Sequence, residues 1–262
     1  MCRLFAALRL DIDVESRCEP VTDLSAQRRA IRPLLAPSDP ADALTAYYAL
    51  YHDARRTQLV LHCTPGGDAD GFVAVCQTGH DLFRPLVVIR APSDEAVGEL
   101  VRWALSPGRP YFLIAPLGLV KVLERFLDMA QPTINRIYRV DAERFHPAQA
   151  IEINVLLEER RGPGGQPRWE IRSGSKVAAA AGANWRSPFC AEIYVYTEPE
   201  FQRRGWARTV LQAATASLLR EGLLPLYMVE ETNLSSILLA EAVGYSDTGR
   251  RHLIGEVYLR PV

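Results

Sequence analysis

Apolar positions recur along this chain with two different periods, and the switches between them mark its elements. The first apolar run, Leu4 to Ile12, reads as a strand, and a helix follows from about Leu24 to Leu35. A second helix runs from Ala41 to about Arg55, with Ser38 or Asp39 before Pro40 as its cap. Gln58 to Thr64 and Phe72 to Gln77 are strands joined through Pro65-Gly66-Gly67-Asp68, whose glycines allow the positive φ of a hairpin connection. Leu86 to Arg90 is a short strand of buried type. Ser93-Asp94-Glu95 then caps a helix that carries Val97, Leu100, Val101 and Leu105 on one face. A strand over Tyr111 to Ala115, a helix over Leu117 to Met129 and a strand over Pro132 to Val140 complete the first half.

After a linker-like stretch, Glu143 to Gln149, the pattern changes to an antiparallel set: Glu152 to Glu158, Arg168 to Ser173, Lys176 to Trp185 and Ala191 to Thr197. Gly162-Pro163-Gly164-Gly165 leads into a strand rather than a helix, so it reads as a turn and not as a phosphate cradle. Trp206 to Arg220 then places Ala207, Val210, Leu211, Ala214 and Leu218 on one helical stripe that Gly222 closes. Leu226 to Glu230 is a strand. A helix from Leu234 to Val243 begins at a Thr232 or Asn233 cap and ends at Gly244, and His252 to Leu259 is the last strand. This order predicts an α/β protein with a mixed sheet, divided near Asp141 into residues 1–141 and 142–262.

Composition narrows the function classes. Thirty basic against 31 acidic residues leave a formal charge of -1, so no global field gathers nucleic acid or an anionic membrane, and any anion site is local. The amino-terminal apolar run meets Asp11 and Asp13 too soon for a signal peptide, and no run approaches a membrane span. Five scattered cysteines without a Cys-x-x-Cys pair suit reduced thiols in a cytoplasm, and five dispersed histidines give no metal-ligand spacing, so no metal is expected.

One stretch is chemically distinctive. Between the strand ending at Thr197 and the helix starting at Trp206 lies Glu198-Pro199-Glu200-Phe201-Gln202-Arg203-Arg204-Gly205-Trp206-Ala207. Free N–H groups at a helix N-terminus favour an anion, and Gly205 and Ala207 leave room for one to approach the backbone. Arg203 and Arg204 add positive charge. The plain structural reading is a strand-turn-helix with surface arginines. The turn also resembles the Gln/Arg-x-x-Gly-x-Gly/Ala pattern of the GNAT superfamily of acyl-CoA-dependent N-acyltransferases, filled by Gln202, Gly205 and Ala207. Downstream, Asn233-Leu234-Ser235-Ser236 and Gly244-Tyr245 resemble the family's second motif at the expected separation.

The resemblance spans Glu152 to Leu259, with specific motifs from Glu192 to Tyr245. It implies a C-terminal GNAT-type domain with a mostly antiparallel sheet, splayed between the strand ending at Thr197 and the strand Leu226 to Glu230. Acetyl-CoA or another short acyl-CoA would bind there, its pantetheine on Val195 and Thr197 and its diphosphate on Arg203, Arg204, Gly205, Trp206 and Ala207. Gln202, Asn233 and Ser236 would complete the cofactor set. The implied reaction is acyl transfer to a primary amine of a small molecule or peptide; the alternative is a non-catalytic acyl-CoA-binding or regulatory module.

Attack on a thioester needs a neutral amine, so a base is useful, and a proton donor near sulfur helps the thiolate leave. Glu192 is the candidate base, sharing a strand face with Tyr194 and Tyr196, whose rings would raise its pKa. Its other reading is a solvated strand-edge carboxylate. The tyrosine that the family often places seven residues after the asparagine is here Ala240, which leaves Tyr227 and Tyr196 as substitutes. Tyr245 reads as core, and Cys190 reads as an inert buried thiol.

The first half shares the GNAT element order, yet its equivalent turn, Arg90 to Glu95, lacks the motif and places Asp94 and Glu95 where a diphosphate would sit. Two readings stay open: a degenerate GNAT-like half, or an unrelated α/β domain with the same order. Either way it is expected to shape the acceptor site, because the second half lacks the two helices that line it in the family.

Overall fold

The structure, a computed structural model, describes residues 23–79, 81–147, 156–162 and 166–261. The expected first strand, Leu4 to Ile12, lies outside them. The chain enters through α1 (Leu24–Ile31), capped by Asp23, whose carboxylate accepts the N–H of Ser25 and Ala26. Next is α2 (Ala43–Ala46), four residues that pass into a π-turn over Tyr47–Tyr51. The predicted helix from Ala41 to Arg55 is therefore shorter and wider than its periodicity suggests. The His52 N–H bonds Tyr47 O at 2.9 Å, five residues back.

Strands β1 (Thr57–Cys63), β2 (Ala69–Cys76) and β3 (Leu86–Arg90) follow as antiparallel neighbours. α3 (Asp94–Ala104) then returns the chain to β4 (Pro110–Pro116), parallel to β3. The predicted helix Leu117 to Met129 shrinks to a 3₁₀ turn and α4 (Val120–Leu123), and β5 starts early, at Leu127, and runs to Val140. Long-range pairing overrides the apolar spacing here: Leu127, Asp128 and Met129 are held in register by Leu259, Tyr258 and Val257 at the other end of the chain.

The second half repeats this order. β6 (Leu157–Arg161), β7 (Pro167–Ser173), β8 (Lys176–Arg186) and β9 (Cys190–Thr197) are antiparallel in sequence. α5 (Trp206–Arg220), β10 (Leu224–Glu230), α6 (Leu234–Val243) and β11 (Tyr245–Leu259) complete it. Both long helices begin and end where the caps predicted. At the end of α6, Gly244 takes φ +105, and a Cβ there would lie 2.6 Å from the Arg144 carbonyl oxygen.

Among the described residues eleven strands form one sheet, ordered β1-β2-β3-β4-β11-β5-β10-β9-β8-β7-β6. Each half lends its last strand to the other. β11 pairs with β4, and β5 pairs with β10, so the two longest strands lie side by side at the centre. One face of the sheet is covered by α3 and α4 on Val60, Val87 and Leu113, and by α5 and α6 on Ile193, Val229 and Tyr245. The other face carries α1 and α2, whose core reaches from Leu59 and Phe72 across to Trp185, Cys190 and Leu226. The helices that the second half lacks are thus supplied by the first.

Of the cysteines, Cys76 and Cys190 are free and buried, as expected, whereas Cys63 is disulfide-bonded, which spacing along the chain gave no means of foreseeing. Among the described residues no helix is long and apolar enough to cross a membrane.

His252 sits midway along β11, opposite Pro116 of β4 and Asn135 of β5, with its Nδ1 buried and unpartnered. Burial pulls its pKa down to about 4, only partly offset by the Ala41 backbone and Asp42. The unfolded chain takes up this proton near pH 6.5 and the folded chain only near 4, so stability falls as pH drops through that window. Thermal melts of His252→Gln between pH 7 and 4.5 should show a shallower loss than wild type. Gly244→Ala should cost about 2 kcal/mol or more, read as a shift in urea midpoint, because φ is positive and the backbone of Arg144 blocks the new Cβ.

Candidate functional site

The parallel contact between β9 and β10 is short. Only Cys190, Ala191 and Glu192 face Leu224, Pro225 and Leu226; beyond them the strands part. Glu198 N–H donates to Ala178 O at 3.0 Å, so by antiparallel alternation Tyr196 and Tyr194 also turn their backbone groups towards β8. Val195 and Thr197 turn theirs into the gap. Thr197 Oγ1 is buried there without a partner.

A groove of about 470 Å³ occupies this gap and continues to the start of α5. It is lined by Val195 and Thr197, by the turn from Gln202 to Ala207, and by Tyr227 and Ser236. α5 differs from α1, α3 and α6 in having no side-chain cap: its Ncap is Gly205, in the left-handed region at φ +78, with nothing within 4 Å of where a Cβ would stand. Arg203 also takes positive φ, at 62°. Phe201 and Trp206 stack 5.5 Å apart, and the Arg204 guanidinium lies over both rings, at 5.4 and 5.3 Å. Glu200, close in sequence, pairs with Lys176 instead of an arginine of the turn. The result is a positively charged, unsatisfied helix end beside open space, which fits a diphosphate.

The corresponding place in the first half is closed. β3 and β4 likewise pair over only three positions, but Ser93 Oγ accepts the Ala96 N–H at 3.2 Å and Asp94 pairs with Arg125. The Glu95 carboxylate is held below its ordinary range, first by its own backbone N–H and then by Ser93. That helix end is satisfied by its own acids, so an anion has no place there.

Asn233 is the cap of α6, one of the two roles expected of it. Its Oδ1 accepts the Ser236 N–H at 3.1 Å and the Ser235 hydroxyl at 2.9 Å, so the side chain is used in capping α6 and does not line the groove. Ser236 does line it.

Glu192 opens on the opposite face of the sheet, in a cavity of about 440 Å³ between the halves. Leu44 and Tyr48 come from the α2 region, Leu86 and Ile114 from β3 and β4, Met228 from β10 and Ile254 from β11. Asn184 Nδ2 donates to Glu192 Oε1 at 3.0 Å, and Trp185 Nε1 donates to Oε2. Trp185 in turn stacks on Tyr47 at 5.1 Å. Burial pushes the Glu192 pKa up, and the two donated hydrogen bonds oppose it in part. The phenol of Tyr48 is pushed up by burial and then by the Glu192 carboxylate, so it stays neutral. Tyr48 was not found from the sequence, because nothing in a helix of the first half marks contact with a strand about 140 residues on.

Tyr194 and Tyr196 line a neighbouring cavity of about 540 Å³ that shares Asn184 and Trp185 with the first. Alternation along β9 therefore separates a cofactor-type groove on one face from cavities on the other, as the sequence predicted. Tyr227 is buried, its pKa raised by burial and lowered by a hydrogen bond with Ser236. Tyr245 is core, its hydroxyl 2.7 Å from Thr215 Oγ1, and Cys190 is inert, its thiol pushed up to about 11 by burial.

A mixed sheet splayed between two parallel strands, with an uncapped helix end at the splay, defines a GNAT-type fold. Residues 169–251 match the family model "GNAT acetyltransferase", a family that uses acetyl-CoA, so this part of the chain is similar to that family's domain. Among solved structures, the chain resembles a GCN5-related N-acetyltransferase from Sphaerobacter thermophilus, with a TM-score of 0.61 and 14% identity over 94% of this chain and 96% of that one. A tandem GNAT protein of the clavulanic acid biosynthesis pathway also gives 0.61, at 13% identity, over 94% and 98%. A Drosophila protein gives 0.63 at 14%, over 94% and 99%. These likenesses show the fold. No curated protein matches the sequence.

Arg203→Ala with Arg204→Ala should weaken CoA binding about tenfold at low salt, an effect shrinking as salt rises, measured by calorimetry. Unchanged affinity would remove the turn as the diphosphate site.

Proposed function

We propose that the protein is an N-acyltransferase that moves an acetyl or other short acyl group from CoA to a primary amine of a small molecule or peptide. The observation that carries this reading is the juxtaposition around Leu226 and Glu192: a cofactor-type groove on one face of β9 and a carboxyl-bearing cavity on the other. In this reading residues 142–262 bind acyl-CoA, and residues 1–141 shape the acceptor site.

When bound, acyl-CoA supplies the activated thioester. The chain's residues do the rest. The N–H groups of Arg203 to Ala207 hold the diphosphate, and Val195 and Thr197 hold the pantetheine through their gap-facing backbone. Glu192 accepts the proton of the ammonium so that the nitrogen can attack the thioester carbon. The C–N bond forms, the C–S bond breaks, and the leaving thiolate takes up the proton that the attacking nitrogen sheds on becoming an amide. A carboxyl with a raised pKa is a better match to an amine than an exposed one, and Asn184 and Trp185 hold its oxygens in place. Ala240, fully buried, offers no proton to sulfur.

Because the base works ionised and its pKa is raised, kcat/KM should rise with pH along a limb placed above the ordinary carboxylate range. Glu192→Gln should lower kcat about a hundredfold or more, remove that limb and leave CoA affinity unchanged. The assay is release of free thiol from acetyl-CoA with a broad amine panel. Tight acetyl-CoA binding without thiol release from any amine would favour the other reading, a non-catalytic acyl-CoA-binding module, which the Ala240 position suits.

A further inference from the structure

The cavity at Glu192 also has a chemistry of its own. Its apolar lining comes from Leu86, Ile114, Ile254 and Met228 on the sheet, with Leu44 and Trp185 beside them, and Asn135 and Asn184 add neutral polar groups. Charge occurs at two places. Glu192 is one, with both oxygens held by neutral donors. The other is at the β2–β3 connection, where Asp81 and Arg84 line the cavity.

That second place is already satisfied. Arg84 Nε bonds Asp81 Oδ2 at 2.5 Å and Nη1 bonds Glu256 Oε2 at 2.6 Å. Asp81 Oδ1 also accepts the N–H groups of Phe83 and Arg84, at 2.8 and 3.1 Å. One guanidinium between two carboxylates has no charge to spare for a third, so an acceptor carboxylate would meet repulsion there. The cluster carries a net single negative charge, so it repels a carboxylate and does not exclude an ammonium. Apolar walls, meanwhile, recover free energy only from an apolar occupant.

We infer that the acceptor is an amine on an apolar body, lacking a carboxylate, seated across the two halves with its nitrogen at Glu192. The inference rests on the acyl-transfer reading for the identity of the reacting group, and on the cavity alone for the body. Phe112, about one-third exposed at the cavity edge, is the side chain that meets the far end of such a molecule.

Binding of 2-phenylethylamine, glycine and spermidine should be measured by calorimetry on the full chain, with and without saturating CoA, alongside thiol release from acetyl-CoA. 2-Phenylethylamine should bind at least about tenfold more tightly than either competitor and give the highest kcat/KM. Phe112→Ala should weaken it about fivefold with no change in CoA affinity, and Met228→Glu should shift preference towards 1,4-diaminobutane. Equal or tighter binding of glycine or spermidine would overturn the inference and leave acyl transfer standing. If acetyl-CoA neither binds nor turns over, the acyl-transfer reading falls, while the order of amine affinities in the CoA-free protein still decides the cavity's occupant. No selective amine binding in either state overturns the inference.

Discussion

The antiparallel pairing of β5 with β11 is the constraint on which everything else in this protein hangs. It joins residues more than a hundred positions apart along two of the longest strands, from Leu127 opposite Leu259 to Val140 opposite Tyr245. Because each strand also pairs outward with the other half, neither β4 nor β10 has an edge exposed at the centre, and the two halves share one sheet. Opening either half would remove a ladder from both. Residues 1–141 and 142–262, distinct in sequence, are coupled in space by this exchange.

The exchange also sets the chemistry's geometry. A continuous sheet fixes α1 and α2 of the first half over the bare face of the second, which brings Leu44, Tyr47 and Tyr48 to Trp185 and Glu192. The raised Glu192 pKa depends on that cover, since burial is its main cause. On the opposite face the gap between β9 and β10 opens into the groove, and the α5 N-terminus has no side-chain cap. The two halves differ at this point: the first N–H groups of α3 are capped by Ser93, whereas α5 has no side-chain cap.

Local signals explain what was legible. The bounds of α5 and α6 follow from Gly205, Asn233, Gly222 and Gly244, whose effects reach only a few residues, and the turn from Gln202 to Ala207 carries its chemistry in consecutive positions. Alternation along β9 placed Val195 and Thr197 opposite Glu192. Where tertiary pairing competes with local preference, the reading failed: Leu117 to Met129 has helical spacing, yet β11 claims its last three residues, and Tyr47 to Tyr51 widens into a π-turn. Asn233 was legible as the cap of α6, because a cap acts within three residues of itself.

By itself the sequence determined the element order, the family resemblance and the cofactor-type turn, because caps, periodicity and a contiguous motif are local properties of the chain. Tertiary structure alone decided which strands exchange, that Tyr48 and Met228 share a cavity with Glu192, and that Arg84 is held between Asp81 and Glu256. Those outcomes depend on groups brought together from both halves, and separation along the chain carries no record of distance in the folded state.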